Sequence, residues 1–159
     1  QNQKKAGGNA EFMSGGDSNS PFSGHHVARQ IPLYSAALAG ADGSIMIGAT
    51  MLEMVEAPAQ LANVQESYAV RVVGESMEPR FYAGEVVYMH PNMPIKKGDF
   101  VVAQVSDGNG GNDIMGYVKR FVSADDKNLV LEQLNPPKKM TFARNRVKSV
   151  HKIVFIAGS

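Results

Sequence analysis

The fold of this chain follows from residues 72–81, VVGESMEPRF, in which a short apolar stretch ends at Gly74 and a turn follows. Ser76 stands near the start of a short helical turn, where a serine is an ordinary N-cap that accepts a hydrogen bond from a backbone N–H. The same position also exposes the hydroxyl beside unpaired backbone N–H groups, which are the donors that an oxyanion hole requires. The stretch therefore predicts either a helix cap or a serine nucleophile.

On both sides of this stretch the sequence has the pattern of short β-strands. Runs rich in Val, Ile, Phe and Tyr are bounded by Gly, Pro, Asn or Asp. The predicted strands are Tyr68–Val73, Glu85–His90, Asp99–Val105, Ile114–Val122, Leu129–Leu134, Lys139–Phe142 and His151–Ile156. Residues 31–34 are also extended, because a residue before proline is driven to the β region, whereas residues 51–62 fit a strand or a helical turn. The predicted fold class is mostly β, a coiled sheet or open barrel of short antiparallel strands.

The first 30 residues differ from the rest in composition. They contain five Gly, four Ser and three Asn, and cannot bury enough apolar surface to offset the entropy of ordering. We predict that residues 1–30 are a disordered tail or a vector-derived linker, since residues 10–13, AEFM, look like an expression-vector junction. Residues 31–159 would then form one domain. No signal peptide or membrane-spanning apolar run is recognisable, which excludes a membrane enzyme and favours a cytoplasmic protein.

Charge and composition exclude several further classes. The chain has 16 Lys and Arg against 15 Asp and Glu, and this near-neutral balance argues against holding nucleic acid by phosphate neutralisation. Residues 117–159 are basic, but their charges alternate with apolar residues, as on the solvated face of a sheet. There is no cysteine, and the four histidines lack ligand spacing. We therefore expect no disulfide, no metal site and no cofactor.

A serine nucleophile requires a base, and Lys119 is the best-placed candidate. In residues 115–122, MGYVKRFV, alternate side chains share a face, so Lys119 lies between Tyr117 and Phe121. If that aromatic face is buried, desolvation lowers the pKa of Lys119 from about 10.4 toward neutrality, and the neutral amine can accept the Ser76 proton. Otherwise Lys119 is a solvent-exposed charge on a strand.

Five short motifs, in this order, resemble the LexA family, which comprises LexA, the phage CI-type repressors and the UmuD-type proteins. They are residues 74–79 (GESMEP), 84–87 (GEVV), 97–102 (KGDFVV), 117–121 (YVKRF) and 134–136 (LNP). The resemblance implies a LexA-like fold, related to that of signal peptidases. It further implies a Ser-Lys dyad, with Ser76 as the nucleophile and Lys119 as its general base, and an oxyanion hole formed by the backbone N–H groups of Glu75 and Ser76.

Members of this family cut their own chain, usually at an Ala-Gly bond upstream of the catalytic core. Of the four Ala-Gly pairs in the sequence, only Ala39-Gly40 lies in an extended apolar stretch before a flexible turn, just inside the predicted domain. The resemblance therefore implies self-cleavage at Ala39-Gly40, while an ordinary strand end remains the alternative. It also implies a transcriptional repressor that forms homodimers through strands around Val147–Ile156. Its cleavage would be stimulated by a RecA filament in the DNA-damage (SOS) response, or be controlled by an antirepressor protein.

Two other functions stay open on the sequence. One is a UmuD-like accessory protein of a translesion polymerase, which has a short N-terminal arm in place of a DNA reader. The other is a dimerisation and interaction module of a repressor that does not cleave itself. The family's helix-turn-helix is absent from these 159 residues, so DNA would be bound only through a domain outside them. The glycine-rich residues 107–113 lengthen the interval between Ser76 and Lys119, and we interpret them as a flexible hairpin loop without the spacing of a phosphate-binding loop.

Overall fold

The computed structural model describes residues 28–38, 44–106 and 114–158. The strands in this part of the chain are β1 (Gln30–Leu38), β2 (Ile45–Glu56), β3 (Tyr68–Arg71), β4 (Val86–His90), β5 (Phe100–Ser106), β6 (Ile114–Ala124), β7 (Asn128–Leu134), β8 (Pro137–Ala143) and β9 (Val147–Ala157). Two short 3-10 turns cover Ala59–Leu61 and Arg144–Arg146. The prediction of a mostly β fold is confirmed. The predictions for residues 1–27, for Ala39-Gly40 and for residues 107–113 lie outside the described residues.

The described strands form one sheet in the order β2-β1-β3-β4-β9-β5-β6-β7-β8. Neighbours are antiparallel except β1 and β3, which run parallel where Leu33 pairs with Ala69. Strand β2 also pairs with β6, through Ile45 and Gly116. The sheet therefore curls back on itself and closes a ring of seven strands, from which β7 and β8 extend. This is the coiled, barrel-like arrangement that the sequence predicts.

The interior of the ring is an apolar core that includes the turn around Ser76. Strands β1 to β6 and β9 all contribute side chains to it. Met77 and Phe81, on the C-terminal side of Ser76, are 3% and 0% exposed and pack in the same core. Because burying a large apolar side chain is worth about 1.5–3 kcal/mol, these two residues anchor the turn and fix where Ser76 lies.

A second apolar cluster covers the opposite face of β5 to β8. Tyr117 and Phe121 pack in this second cluster, whereas Val118 points into the ring. The alternation of faces along β6 is therefore the one expected from its sequence. A third cluster, which includes Leu61 of the first 3-10 turn, covers the outer face of β1, β3 and β4.

The predicted strands all occur, with boundaries displaced by up to four residues. The ambiguous residues 51–62 form the end of β2 and then the first 3-10 turn. The full length of β1 and β2 was not evident from the sequence, since both strands contain residues that are depleted in strands: Pro32 and Ala36 in β1, and Gly48 and Glu53 in β2. No helix in residues 28–38, 44–106 and 114–158 is long and apolar enough to cross a membrane.

Candidate active site

The turn that carries Ser76 begins at Gly74. This glycine has a φ of +80°, a left-handed conformation that glycine adopts without the steric strain of a side chain. The chain then closes one helical turn, in which the Phe81 N–H donates to the Met77 carbonyl at 3.0 Å. Ser76 therefore lies between the left-handed residue Gly74 and a buried helical turn. These two features together fix the position of its backbone.

Lys119 lies directly beside Ser76. Its Nζ donates a hydrogen bond to the Ser76 Oγ at 3.0 Å, although the two residues are 43 positions apart. Lys119 has no exposed surface, so it is not a solvent-exposed strand charge. An ammonium group is costly to bury and a neutral amine much less so. The structure thus places the Ser76 hydroxyl against the nitrogen of a lysine side chain that is fully withdrawn from solvent.

The turn between β7 and β8 holds the backbone of Glu75 and Ser76. The Leu134 and Asn135 N–H groups donate to the Ser76 carbonyl at 3.2 and 2.8 Å. The Asn135 side chain donates from Nδ2 to the Glu75 carbonyl at 3.1 Å. Within the described part of the chain, the N–H groups of Glu75 and Ser76 donate to no backbone carbonyl.

Gln133 braces this same turn from inside. It is 2% exposed, and its Nε2 donates to the carbonyls of Asn135 and Pro136 at 3.3 and 3.1 Å. Its Oε1 is buried and has no partner among the described residues. The Asn135 turn is therefore tied to the sheet on one side and to the Ser76 turn on the other.

Strands β1 and β2, which flank the predicted scissile pair, contact the elements that carry Ser76 and Lys119. Leu38, the last residue described before Ala39, packs on Gly74: a Cβ at Gly74 would lie 2.8 Å from the Leu38 Cδ2. On β6, a Cβ at Gly116 would lie 2.7 Å from the Ile47 Cδ1. Gly74 thus leaves room for Leu38 of β1, and Gly116 leaves room for Ile47 and Ile45 of β2.

Tyr68 and His151 form a separate buried hydrogen-bonded pair. The Tyr68 hydroxyl and the His151 Nδ1 share a hydrogen bond of 2.6 Å across the core. Burial raises the pKa of Tyr68 to about 12 and lowers the pKa of His151 below its usual value. In residues 28–38, 44–106 and 114–158 there is no group of three or more His, Cys, Asp or Glu placed to hold a metal ion.

Sequence reasoning did not assign functions to three of these residues. Asn135 belonged to a recognised motif, but nothing in the sequence indicated which backbone it holds. The paired glycines Gly74 and Gly116 give no local signal either, because their role depends on Leu38 and Ile47, which are distant in sequence. All that the sequence shows is their position, because one glycine stands shortly before each residue of the predicted dyad.

Comparison with known proteins gives two matches. The family model described as Peptidase S24-like matches residues 32–154, a range that includes Ser76, Lys119 and Asn135. Repressor protein C of Rhizobium phage 16-3 is 43% identical over 126 residues, which cover 78% of this chain and 48% of that protein. The chain therefore spans about half the length of this curated relative.

Proposed function

Since the chain belongs to the Peptidase S24-like family, we propose that it is the C-terminal part of a LexA/CI-like transcriptional repressor that cleaves itself between Ala39 and Gly40. The observation that carries the peptidase chemistry is the 3.0 Å hydrogen bond between Lys119 Nζ and Ser76 Oγ. The repressor assignment rests on the likeness to the phage Repressor protein C.

The proposed reaction is an acyl transfer within one chain. Neutral Lys119 takes the proton of the Ser76 hydroxyl, and the Ser76 Oγ forms a bond to the carbonyl carbon of Ala39. The C–N bond to Gly40 then breaks, the Lys119 ammonium returns the proton to the leaving amine, and residues 40–159 carry a new N-terminus. Water, deprotonated by the same lysine, then attacks the ester carbonyl carbon. The bond between this carbon and the Ser76 Oγ breaks, the Lys119 ammonium returns the proton to that oxygen, and residues 1–39 leave with a new carboxyl group.

The position of Leu38 supports this choice of bond. Leu38 packs on Gly74, two residues before Ser76, and consecutive Cα atoms are only about 3.8 Å apart. The chain that reaches Ala39 therefore starts at the turn that carries the nucleophile. Tethering of this kind supplies a large effective concentration, so even a weak peptidase can cut its own chain.

Stabilisation of the intermediate is assigned to the backbone. The tetrahedral intermediate places a negative charge on the former Ala39 carbonyl oxygen. The N–H groups of Glu75 and Ser76, which bond to no backbone carbonyl in the described residues, are the donors that we propose for it. Such donors contribute strongly because they are already oriented when the charge develops.

Control of the reaction would lie in how often the Ala39-Gly40 loop occupies the site beside neutral Lys119, which is a shift between two populations. In this proposal a RecA filament, formed in response to DNA damage, or an antirepressor protein favours the occupied state in the cytoplasm. The protein acts as a homodimer through the region Val147–Ile156, and DNA is bound by a part of the repressor outside this chain.

An intact-mass time course between pH 7 and pH 10 tests the proposal. We expect fragments of residues 1–39 and 40–159, at a rate that rises with pH as the neutral amine is populated. Ser76→Ala and Lys119→Ala should abolish both fragments. The exposed residues Ser123 and Lys127 provide matched controls, because Ser123→Ala and Lys127→Ala remove the same groups away from the site.

Three outcomes would contradict all or part of the proposal. A wild-type chain that stays intact at pH 10 while circular dichroism shows it folded would indicate a dimerisation and interaction module without self-cleavage. The same fragments from Ser76→Ala would indicate a contaminating protease. Cleavage at a different bond, with both variants inactive, would keep the Ser-Lys dyad and overturn the Ala39-Gly40 assignment.

A further inference from the structure

The Asn135 side chain holds one particular peptide group. Its Nδ2 donates to the Glu75 carbonyl at 3.1 Å, and that carbonyl shares a peptide unit with the Ser76 N–H. The unit is trans and planar, so its C=O and N–H point in opposite directions. Fixing the Glu75 oxygen toward Asn135 therefore fixes the Ser76 N–H away from Asn135.

The backbone of the same turn repeats this arrangement one residue later. The Leu134 and Asn135 N–H groups hold the Ser76 carbonyl at 3.2 and 2.8 Å, and this carbonyl shares its peptide unit with the Met77 N–H. Two consecutive peptide planes are thus oriented from one side. The backbone bonds persist whatever side chain stands at position 135, whereas the bond to Glu75 exists only because residue 135 has a side-chain donor.

We propose that Asn135 is a positioning residue, which aims the Ser76 N–H at the oxyanion formed during self-cleavage by holding the Glu75 carbonyl from behind. The inference rests on the proposed function. Asn135 does not touch the reacting atoms in this scheme; it acts through the peptide that links Glu75 and Ser76. This positioning role would explain why residues 134–136, at the end of β7, lie beside Ser76, which is about 60 residues earlier in the chain.

Asn135 is suited to this role because its own turn is fixed. Gln133, buried in the sheet, donates to the carbonyls of Asn135 and Pro136, so we expect the Asn135 backbone to keep its position when its side chain is changed. Asn135 itself is exposed, and its substitution leaves the apolar core intact. The Glu78 N–H also donates to the Glu75 carbonyl, at 3.1 Å. Loss of the Asn135 amide therefore loosens the peptide rather than freeing it.

The test is the pH dependence of self-cleavage in Asn135→Leu. Leucine has a similar branched shape but no donor and no charge, so the Lys119–Ser76 pair keeps its surroundings. We expect the plateau rate at high pH to fall about tenfold, less than the hundredfold or more that follows removal of an oxyanion donor. The midpoint of the pH profile should not move. Asn135→Gln, which retains an amide donor, should recover part of the rate.

Asn145→Leu is the matched control, since Asn145 is an exposed asparagine in the second 3-10 turn, and its rate should equal that of the wild type. If Asn135→Leu cleaves like the wild type, the positioning role is wrong while the proposed function stands. A lower rate that comes with a shifted midpoint, or with a melting temperature below that of Asn145→Leu, would mean a structural role and also overturn it. A wild-type chain that does not cleave would overturn the proposed function and this inference together.

Discussion

At the scale of single residues, the candidate site depends on how a lysine is kept buried next to a hydroxyl. Strand β6 has neighbours on both sides, β5 and β7, and Lys119 has no exposed surface. Ser76 is held in contact with it by Met77 and Phe81 in the core and by Asn135 on the backbone side. Thus the hydroxyl and the amine meet because three separate parts of the chain pack around them.

A titratable pair away from the site gives a prediction about stability. Burial lowers the pKa of His151 below its usual 6.5, while the Tyr68 hydroxyl stays protonated with a pKa of about 12 and bonds the neutral imidazole. Below pH 6.5 the unfolded chain therefore binds a proton before the folded chain does. The free energy of unfolding should fall as the pH drops from 6.5 through the lower folded-state pKa, by at most about 1.4 kcal/mol per pH unit.

Urea unfolding of the wild type and of His151→Gln at pH 7.5, 6.5 and 5.5 checks this. Glutamine can accept the Tyr68 hydrogen bond but does not titrate. We expect the two stability curves to run parallel above pH 6.5 and to separate below it, with the wild type losing more. Curves that stay parallel down to pH 5.5 would show that His151 is protonated equally well in both states.

The sequence was sufficient to identify Ser76 and Lys119 as candidates, because few residue types can act as a nucleophile or as a base, and each of the two lies in a short local motif. It was insufficient for Asn135. Many residues can brace a backbone carbonyl, and which carbonyl they reach is decided by the tertiary fold. The environment of Lys119 was predictable only in part: the aromatic face of β6 follows from strand alternation, but its complete burial depends on β7 and on the Ser76 turn.

At the scale of elements, the hairpin strands β1 and β2 are docked on the catalytic elements through two glycines. Leu38 of β1 occupies the space at Gly74 and Ile47 of β2 the space at Gly116. Gly74 precedes Ser76 by two residues, and Gly116 precedes Lys119 by three. Docking of the hairpin and the geometry of the dyad are therefore determined by the same short segments.

Gly116→Ala should disturb docking without touching the dyad. The new Cβ would lie 2.7 Å from the Ile47 Cδ1, so the start of β2 must shift on β6. A displacement of this size can slow a tethered reaction by about tenfold. Ile47→Val removes the Cδ1 at 2.7 Å but leaves the Ile47 Cγ1 at 3.0 Å and the Ile45 Cγ1 at 3.2 Å. We therefore expect the double variant Gly116→Ala/Ile47→Val to regain part of the wild-type rate.

The four chains of this double-mutant cycle can be compared in one cleavage assay at pH 10. Ile47→Val alone is the control for the lost methyl group and should cut nearly as fast as the wild type. If the double variant is no faster than Gly116→Ala, the effect does not pass through Ile47, and the glycine serves some purpose other than docking of the hairpin.

The same two strands show where prediction of the fold was limited. Most strands from β3 to β9 contain apolar runs with clear boundaries, rich in Val, Ile, Leu, Phe or Tyr, and local pattern was enough to find them. Strands β1 and β2 contain residues that are depleted in strands, such as Pro32 in β1 and Gly48 in β2. Their strand conformation is stabilised by pairing with distant segments, because β1 lies between β2 and β3, and β2 reaches β6. Closure of the ring is a long-range pairing that local sequence does not encode.

At the scale of the whole molecule, cleavage at Ala39-Gly40 would cut the covalent link between two neighbouring strands of the ring. Strand β1 would then belong to the fragment of residues 1–39 and be held only by its pairing with β2 and β3. Ile31 and Leu33 of β1 are each 1% exposed, and departure of the fragment would uncover the core beneath them. Separation of residues 1–39 from residues 40–159 would therefore be a second step, distinct from the chemistry.

This step makes the stability of the cleaved protein depend on concentration. Burial of Ile31 and Leu33 is worth roughly 1.5–3 kcal/mol each, and after cleavage this contribution exists only while the fragment is bound. We expect the isolated fragment of residues 40–159 to melt several degrees below the uncut Ser76→Ala chain. A synthetic peptide of residues 28–39 should raise the melting temperature of this fragment in proportion to the logarithm of peptide concentration.

A peptide with Ile31→Asp and Leu33→Asp is the matched control and should have no effect, because it cannot bury charge in the core. If the natural peptide also has no effect, β1 contributes nothing to the ring once it is cut, and the two fragments would part as soon as the bond is broken.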